Sequence, residues 1–428
     1  MRLYEKSFEF EKFYNKDLID YFSSCFVDES DEPIKFVITK TDDKYHCELA
    51  MMEVMSYSLK ETIFDFKKRD FENQNEFNVV MLIPTGINAE IGGHSGDGTP
   101  VARLIGTVCD NLIIHPNIVN SADVNEMPEN GLYVEGSIIT RMLMGTIGLQ
   151  KVRKNRILVI MDKHEDEFFN NAVINQVNGA KASFGIDCPF VITVPKTEMK
   201  SVYSSSGRAT GEVGDFENIC WALEEYKGEY DAIALTTYLK IPGDIRKNYF
   251  IQDDIVNPWG GAEAMLTHAI SYLFDVPSAH APMIDSRDCL IKDIGQVDPR
   301  KSTELLSVTA FFCVLKGLNK SPRIIKDINF FNKPGIISAN DISALVIPDG
   351  VVGLPVLAAL EQGIPVIAVK ENKNIMKNNL RGLPFNKDKL FFVNNYLEAA
   401  GLLSAMKNGI SEESVRRPLN FTKVENCD

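Results

Sequence analysis

The sequence predicts an α/β protein: a mainly parallel, helix-covered sheet in Rossmann-like layers, with a small appended N-terminal unit. Three observations carry this. From Asn78 onward, short β-branched runs alternate with helical patterns, the order expected of βαβ units. Those runs are apolar throughout and do not alternate apolar with polar residues, as suits strands buried on both faces. The composition, 45% apolar and 24% charged over 428 residues, is that of an ordinary globular protein with ample core.

Residues 1–77 mix amphipathic, aromatic-rich stretches with one strand candidate, Ile34–Thr39, and end in the polar segment 71–76. They read as an appended α+β unit. The strands expected after it are Val79–Ile83, Asn111–His115, Ile157–Met161, Phe190–Val194, Ala232–Thr236, Ala344–Ile347, Val366–Val369 and Phe391–Val393, enough for one sheet of eight. Between them lie expected helices at Pro100–Thr107, Gly136–Met144, Asp166–Phe184, Phe216–Tyr226, Gly261–Phe274, Thr303–Leu318, Pro355–Gln362 and Tyr396–Lys407. A single core usually stops growing at roughly 250–300 residues. The remainder therefore divides into a first half, 78–240, holding a Gly-rich loop, and a second half, 241–428. In Gly261–Phe274, the residues Ala262, Met265, Leu266, Ala269, Ile270 and Leu273 form one stripe at helical spacing, which is core. Glu263 and Thr267 lie four apart on a more polar side, facing a cleft or, as the simpler reading, water.

Several function classes are disfavoured. A net charge of −14 argues against nucleic-acid binding, which draws its affinity from Lys and Arg. Eight scattered cysteines without a C-x-x-C pair suit reduced, buried thiols. The charged start of the chain and the lack of a run near about 18 apolar residues point to a cytoplasmic protein with no membrane partner. A small-molecule ligand and a homo-oligomer remain compatible, and no cofactor is specified.

The sharpest local feature is the loop after Val79–Ile83. Thr85, Gly86, Gly92, Gly93 and Gly96 lead to a helix for which Thr99 is the expected cap and Pro100 the first residue. Exposed amides before a helix N-terminus suit phosphate or carboxylate. Neither G-x-x-x-x-G-K-[ST] nor G-x-G-x-x-G is present. Gly96-Asp97-Gly98-Thr99 resembles part of the GGDGT loop of NAD and lipid kinases, except that Ser95 stands where Gly is expected. A second loop, containing Asp349, Gly350 and Gly353 before Pro355, repeats the strand, Ile-Pro-x-Gly, helix pattern, so the two could face one ligand. The adjoining segment, Val356–Val369, resembles the donor-binding turn of some two-domain glycosyltransferases.

Other polar residues sit at strand ends, where open α/β sheets keep their ligands: His115 with Asn117, Asn120 and Asp123; Glu135; and His280 with Asp285. His94, Asp97, His115, Glu263 and His280 are the candidates for proton transfer. No H-x-x-x-H or H-E-x-x-H pair specifies a metal, so whether one is bound stays open. Ser204–Gly211 reads as a mobile polar loop whose Arg208 could close on an anionic substrate.

The stretches Leu82–Gly86, Glu90–Asp97, Thr99–Arg103, His115–Asn117, Asn125–Pro128, Tyr133–Gly136, Gly260–Glu263 and Ala279–Pro282 resemble the bacterial family catalogued as domain of unknown function 3326, from about Asn78 to Ile410. Gly98 departs from that family's expected Gly-Asp-Ala. The resemblance implies that these loops belong together, and it brings no reaction with it. The expectation is a small-molecule enzyme, transferase chemistry favoured, binding an anionic or nucleotide-like ligand at the Gly-rich loops. The alternative is a non-catalytic ligand-binding or biosynthetic accessory protein.

Overall fold

The computed structural model describes residues 1–13, 17–26, 30–53, 61–121, 125–284, 286–287, 294–306 and 309–426. Asp123 and Asp285 lie outside them. The fold is mixed α/β. All eight expected strands form, but in two parallel sheets, because their registers pair them in two groups.

The first sheet has six parallel strands, in spatial order Leu390–Val393, Val366–Val369, Ile342–Pro348, Asn78–Met81, Asn111–Ile114 and Gly131–Tyr133. From Asn78–Met81 the chain winds outward in one direction, and from Ile342–Pro348 in the other. The order therefore reverses between these two neighbours, and their carboxyl ends diverge to leave a crevice. A second parallel sheet has the order Ser278–His280, Ala232–Thr236, Arg156–Asp162, Asp187–Val194.

A seven-stranded sheet, mostly antiparallel, joins the chain's far parts. It holds Leu3–Glu11, Glu32–Thr41 and Lys44–Met52 from the N-terminal unit, Glu198–Tyr203, Ala209–Gly214 and Leu239–Lys240 from the middle, and Val352–Gly353 from the second Pro-x-Gly loop. The strands of residues 1–77 thus share one sheet with segments on both sides of residue 240. Most of the expected helices match within one or two residues; Thr303–Leu318 is instead two helices, Ser302–Leu306 and Phe311–Asn319. The six cysteines within the described residues form no disulfide, and five are buried.

Two expectations change. Thr99 is not the cap of its helix but its first residue, after Gly98, and its hydroxyl donates to the Ile118 carbonyl. Ser204–Gly211 is not a lid. It turns between Glu198–Tyr203 and Ala209–Gly214, and Arg208 points inward, 2% exposed. Its Nε donates to Glu48 Oε2 at 3.0 Å, its Nη2 pairs with Glu5, and Thr210 adds a hydrogen bond of 2.7 Å to the other Glu5 oxygen. The guanidinium cross-links three strands and is not available to a ligand.

Removing one member of a buried ion pair leaves the others charged and unpaired, which costs about 3–5 kcal/mol. Arg208→Ala should lower the unfolding free energy in urea by that order. A variant as stable as the wild type would show that Arg208 is not a structural cross-link.

Candidate functional site

The carboxyl ends of both parallel sheets open onto one cavity of about 160 Å³. Each wall arises from a local turn. The first sheet contributes Leu82, Pro84 and Thr85 after one strand, His115, Pro116 and Asn117 after the next, and Glu135 and Gly136 after the third. The second Pro-x-Gly loop brings Val351, Val352 and Gly353, and the second sheet brings Ala279 and His280. Helix Gly260–Phe274 lays Gly260, Glu263, Thr267 and His268 along the side, and strand Glu32–Thr41 closes it with Lys35, Phe36 and Val37.

Two carboxylate–histidine pairs face this space. In the first, His280 Nε2 lies 3.3 Å from the Thr237 amide, which donates to it. The ring proton is then on Nδ1, 3.2 Å from Glu263 Oε2 but off the line of a good hydrogen bond. Glu263 faces the cleft and not bulk water. In the second pair, His268 Nδ1 lies 2.5 Å from Glu135 Oε1. Glu135 also caps helix Gly136–Leu143, its Oε2 accepting from the Ser137 amide and hydroxyl and from the Ile138 amide. Burial pushes the Glu135 carboxyl up, but His268 and the Ser137 donors outweigh it and hold it below the usual range.

A third imidazole is neutral. His115 Nε2 donates to the Ile83 carbonyl at 2.6 Å, which leaves Nδ1 as a proton acceptor. Burial lowers its pKa to about 4, against the opposing pull of the Ile83 bond and Glu135. Lys35 brings a cation to the same space. Burial lowers its pKa as well, while Glu135 and Glu48 raise it.

Of the residues expected from the sequence, the fold therefore brings together His115, Glu263, His280, Thr85, Asn117, Asn120, Glu135 and Gly353. His94 and Asp97 lie elsewhere. Asp97 accepts the His94 amide at 3.1 Å and holds the Gly-rich turn; burial raises its pKa to about 7. His94 Nδ1 lies 2.8 Å from the Tyr249 hydroxyl, which itself bonds Glu304, and burial lowers the imidazole's pKa to about 4. Asn257 donates to the other Glu304 oxygen at 2.7 Å. Gly86, Gly92 and Gly93 pack against the protein's own atoms, and Gly96 and Thr99 line a separate shallow cleft with Arg103 and Glu126. Asp349 and Gly350 hold the second loop through carbonyls that accept from Asn374 and Asn378.

Sequence reasoning passed over Lys35 and His268. His268 could have been found: with Glu263 and Thr267 it makes a polar edge at i, i+4 and i+5 of an otherwise apolar helix. No group of three or more His, Cys, Asp or Glu side chains placed to hold a metal occurs among the described residues.

The family model described as protein of unknown function DUF3326 matches residues 78–416. The chain belongs to that family. Within its span lie both carboxylate–histidine pairs and His115. An uncharacterized lipoprotein of Synechococcus sp. is 32% identical over 339 residues, covering 77% of this chain and 91% of the relative. No solved structure matches the chain. Among the described residues no helix is long and apolar enough to cross a membrane.

Glu304 gives this region a pH signature. Burial, with the charges of Glu263 and Asp97, raises its pKa to about 7 despite hydrogen bonds from Tyr249 and Asn257. The folded protein then keeps a proton that the unfolded chain releases near pH 4.5, so this group's contribution to stability falls between about pH 4.5 and 7. Glu304→Gln should therefore gain on the wild type by roughly 3 kcal/mol between about pH 5 and pH 8 in paired urea titrations. A pH-independent difference would contradict a protonated Glu304.

Proposed function

We propose that the chain is a small-molecule enzyme that binds an anionic ligand in this cavity and moves protons on it. One observation carries the reading: two carboxylate–histidine pairs and a neutral imidazole converge on one small cavity where the strand order reverses. Titratable groups whose environments differ, gathered in a cleft, are the mark of acid–base chemistry. The six-stranded layer is read as Rossmann-like, with its ligand at the reversal.

The roles depend on which atoms remain free. His280 accepts from the Thr237 amide at Nε2 and sets its Nδ1 beside Glu263, so it positions Glu263, whose carboxylate is the base. Glu135 fixes the His268 ring through Nδ1, which turns Nε2 into the group that can donate or accept. His115 Nδ1 is a second acceptor. Support for an anionic ligand comes from Lys35 and from two helix starts at the cavity, Gly260 and Leu354, neither capped by a side chain.

A thermal-shift panel of phosphorylated and carboxylated metabolites should yield a stabilising ligand, since a native-state ligand raises stability by RT ln(1 + [L]/Kd). With it, Glu263→Gln and His268→Gln should each lower kcat by about 10²–10⁴-fold while Kd changes only a few-fold. Affinity lost in both variants, with no turnover in the wild type, would mark a non-catalytic binding protein.

A further inference from the structure

Lys35 has no partner of its own. It lines the cavity, and no hydrogen bond or ion pair to any described residue is made by its Nζ. Both carboxylates near it are committed elsewhere: Glu48 to the Arg208 guanidinium and the Ser206 amide, Glu135 to His268 and its helix cap. Its position is also built. The pairing of Glu32–Thr41 with Lys44–Met52 slips by one residue at Ile34, and this bulge sets Lys35 and Val37 on the cavity. Bulges re-aim side chains next to functional sites.

A buried lysine without a counterion of its own is disfavoured as the ammonium and favoured as the free amine, the nucleophilic form. The lowered pKa agrees with this geometry. Beside it stands His115, a neutral imidazole able to take the ammonium's extra proton.

We propose that Lys35 forms an imine with its substrate, a small aldehyde or ketone carrying an anionic group. The Nζ lone pair forms the C–N bond, the carbonyl C–O bond breaks, and the oxygen leaves as water with the two protons of the amine. The imine then withdraws electrons from the neighbouring carbon, where Glu263 or His268 removes or returns a proton. The inference rests on the enzymatic reading of this cavity and names its substrate class and covalent residue.

The full-length protein is treated with limiting glyoxylate, or with formaldehyde, and sodium cyanoborohydride, which reduces an imine to a stable amine. Modified lysines are then mapped by peptide mass. Lys35 should react about ten-fold faster than exposed lysines such as Lys227, with that advantage lost in urea. Lys35→Arg, which keeps the charge, should remove the fast site and leave the surface sites unchanged. The proposal is overturned if Lys35 reacts no faster than the exposed lysines with either reagent. If that happens while the Glu263 and His268 variants still lose turnover, the imine fails and the acid–base reading stands. If those variants also turn over normally, both fail.

Discussion

Two glycines touching one carbonyl place the whole site. A Cβ on Gly86 would lie 2.3 Å from the Ala209 carbonyl oxygen, and one on Gly261 would lie 2.0 Å from the same atom. The Ala209 amide in turn donates to the Gly86 carbonyl at 2.9 Å. Backbone from three distant segments thus meets without intervening side chains, a contact that only glycine permits. It seats the first turn of helix Gly260–Phe274 against both the Gly-rich loop and strand Ala209–Gly214. From that turn the helix carries Glu263 and His268 to the cavity, while the next residue back along the strand, Arg208, grips Glu5 and Glu48. The N-terminal strands and this wall of the cavity are therefore held by adjacent residues, Arg208 and Ala209.

The electrostatics reflect this close assembly. The cavity and the neighbouring Tyr249–Glu304 network are both shielded from water, so charges there act on one another over longer range than at the surface. Glu263, facing the cavity, is one of the charges that raise Glu304, and Asp97 is another. The response runs toward neutrality: the pKa values of Glu304 and Asp97 rise to about 7, while those of His94 and His115 fall to about 4. His94, Asp97 and Glu304 thus form a low-charge shell behind the Gly-rich loop. The two carboxylate–histidine pairs, Glu135 with His268 and Glu263 with His280, each set a carboxylate beside an imidazole.

Much of the fold was legible in local sequence because buried parallel strands are short apolar runs, visible without knowledge of their neighbours. The division into two sheets was not, since pairing is non-local. Strand Leu3–Glu11 escaped notice although Phe8 and Phe10 alternate with Glu9 and Glu11 at the strand period, because that alternation spans only a few residues, and its pairing with Lys44–Met52 settles it. At the site, His115, Glu263 and His280 were readable as polar residues at strand ends and on a helix edge. The Gly-rich loop was misread for a physical reason. Glycines that admit a phosphate and glycines that admit the protein's own atoms look alike, and here Gly86 and Gly93 admit a neighbouring backbone while Gly92 packs on the Ile83 side chain. Arg208 was misread likewise, because a buried cation needs carboxylates from strands some 160 and 203 residues away in sequence.

The division of labour within the cavity matches the division along the chain. Every group assigned to proton transfer lies inside the span that matches the family, residues 78–416. Lys35 lies outside it, on a strand that enters the cavity through a bulge and is held there by pairing with Lys44–Met52 and Val352–Gly353. The second of these pairings is the important one. Val352 and Gly353 lead directly into helix Leu354–Gln362, so the strand that carries Lys35 is registered against the same backbone that presents an uncapped helix start to the ligand. Any shift of that strand would displace the cation and the amides together, keeping their spacing while changing their distance from Glu263 and His268. The site thus draws on two parts of the chain, the strand that carries Lys35 and the helix that carries Glu263 and His268.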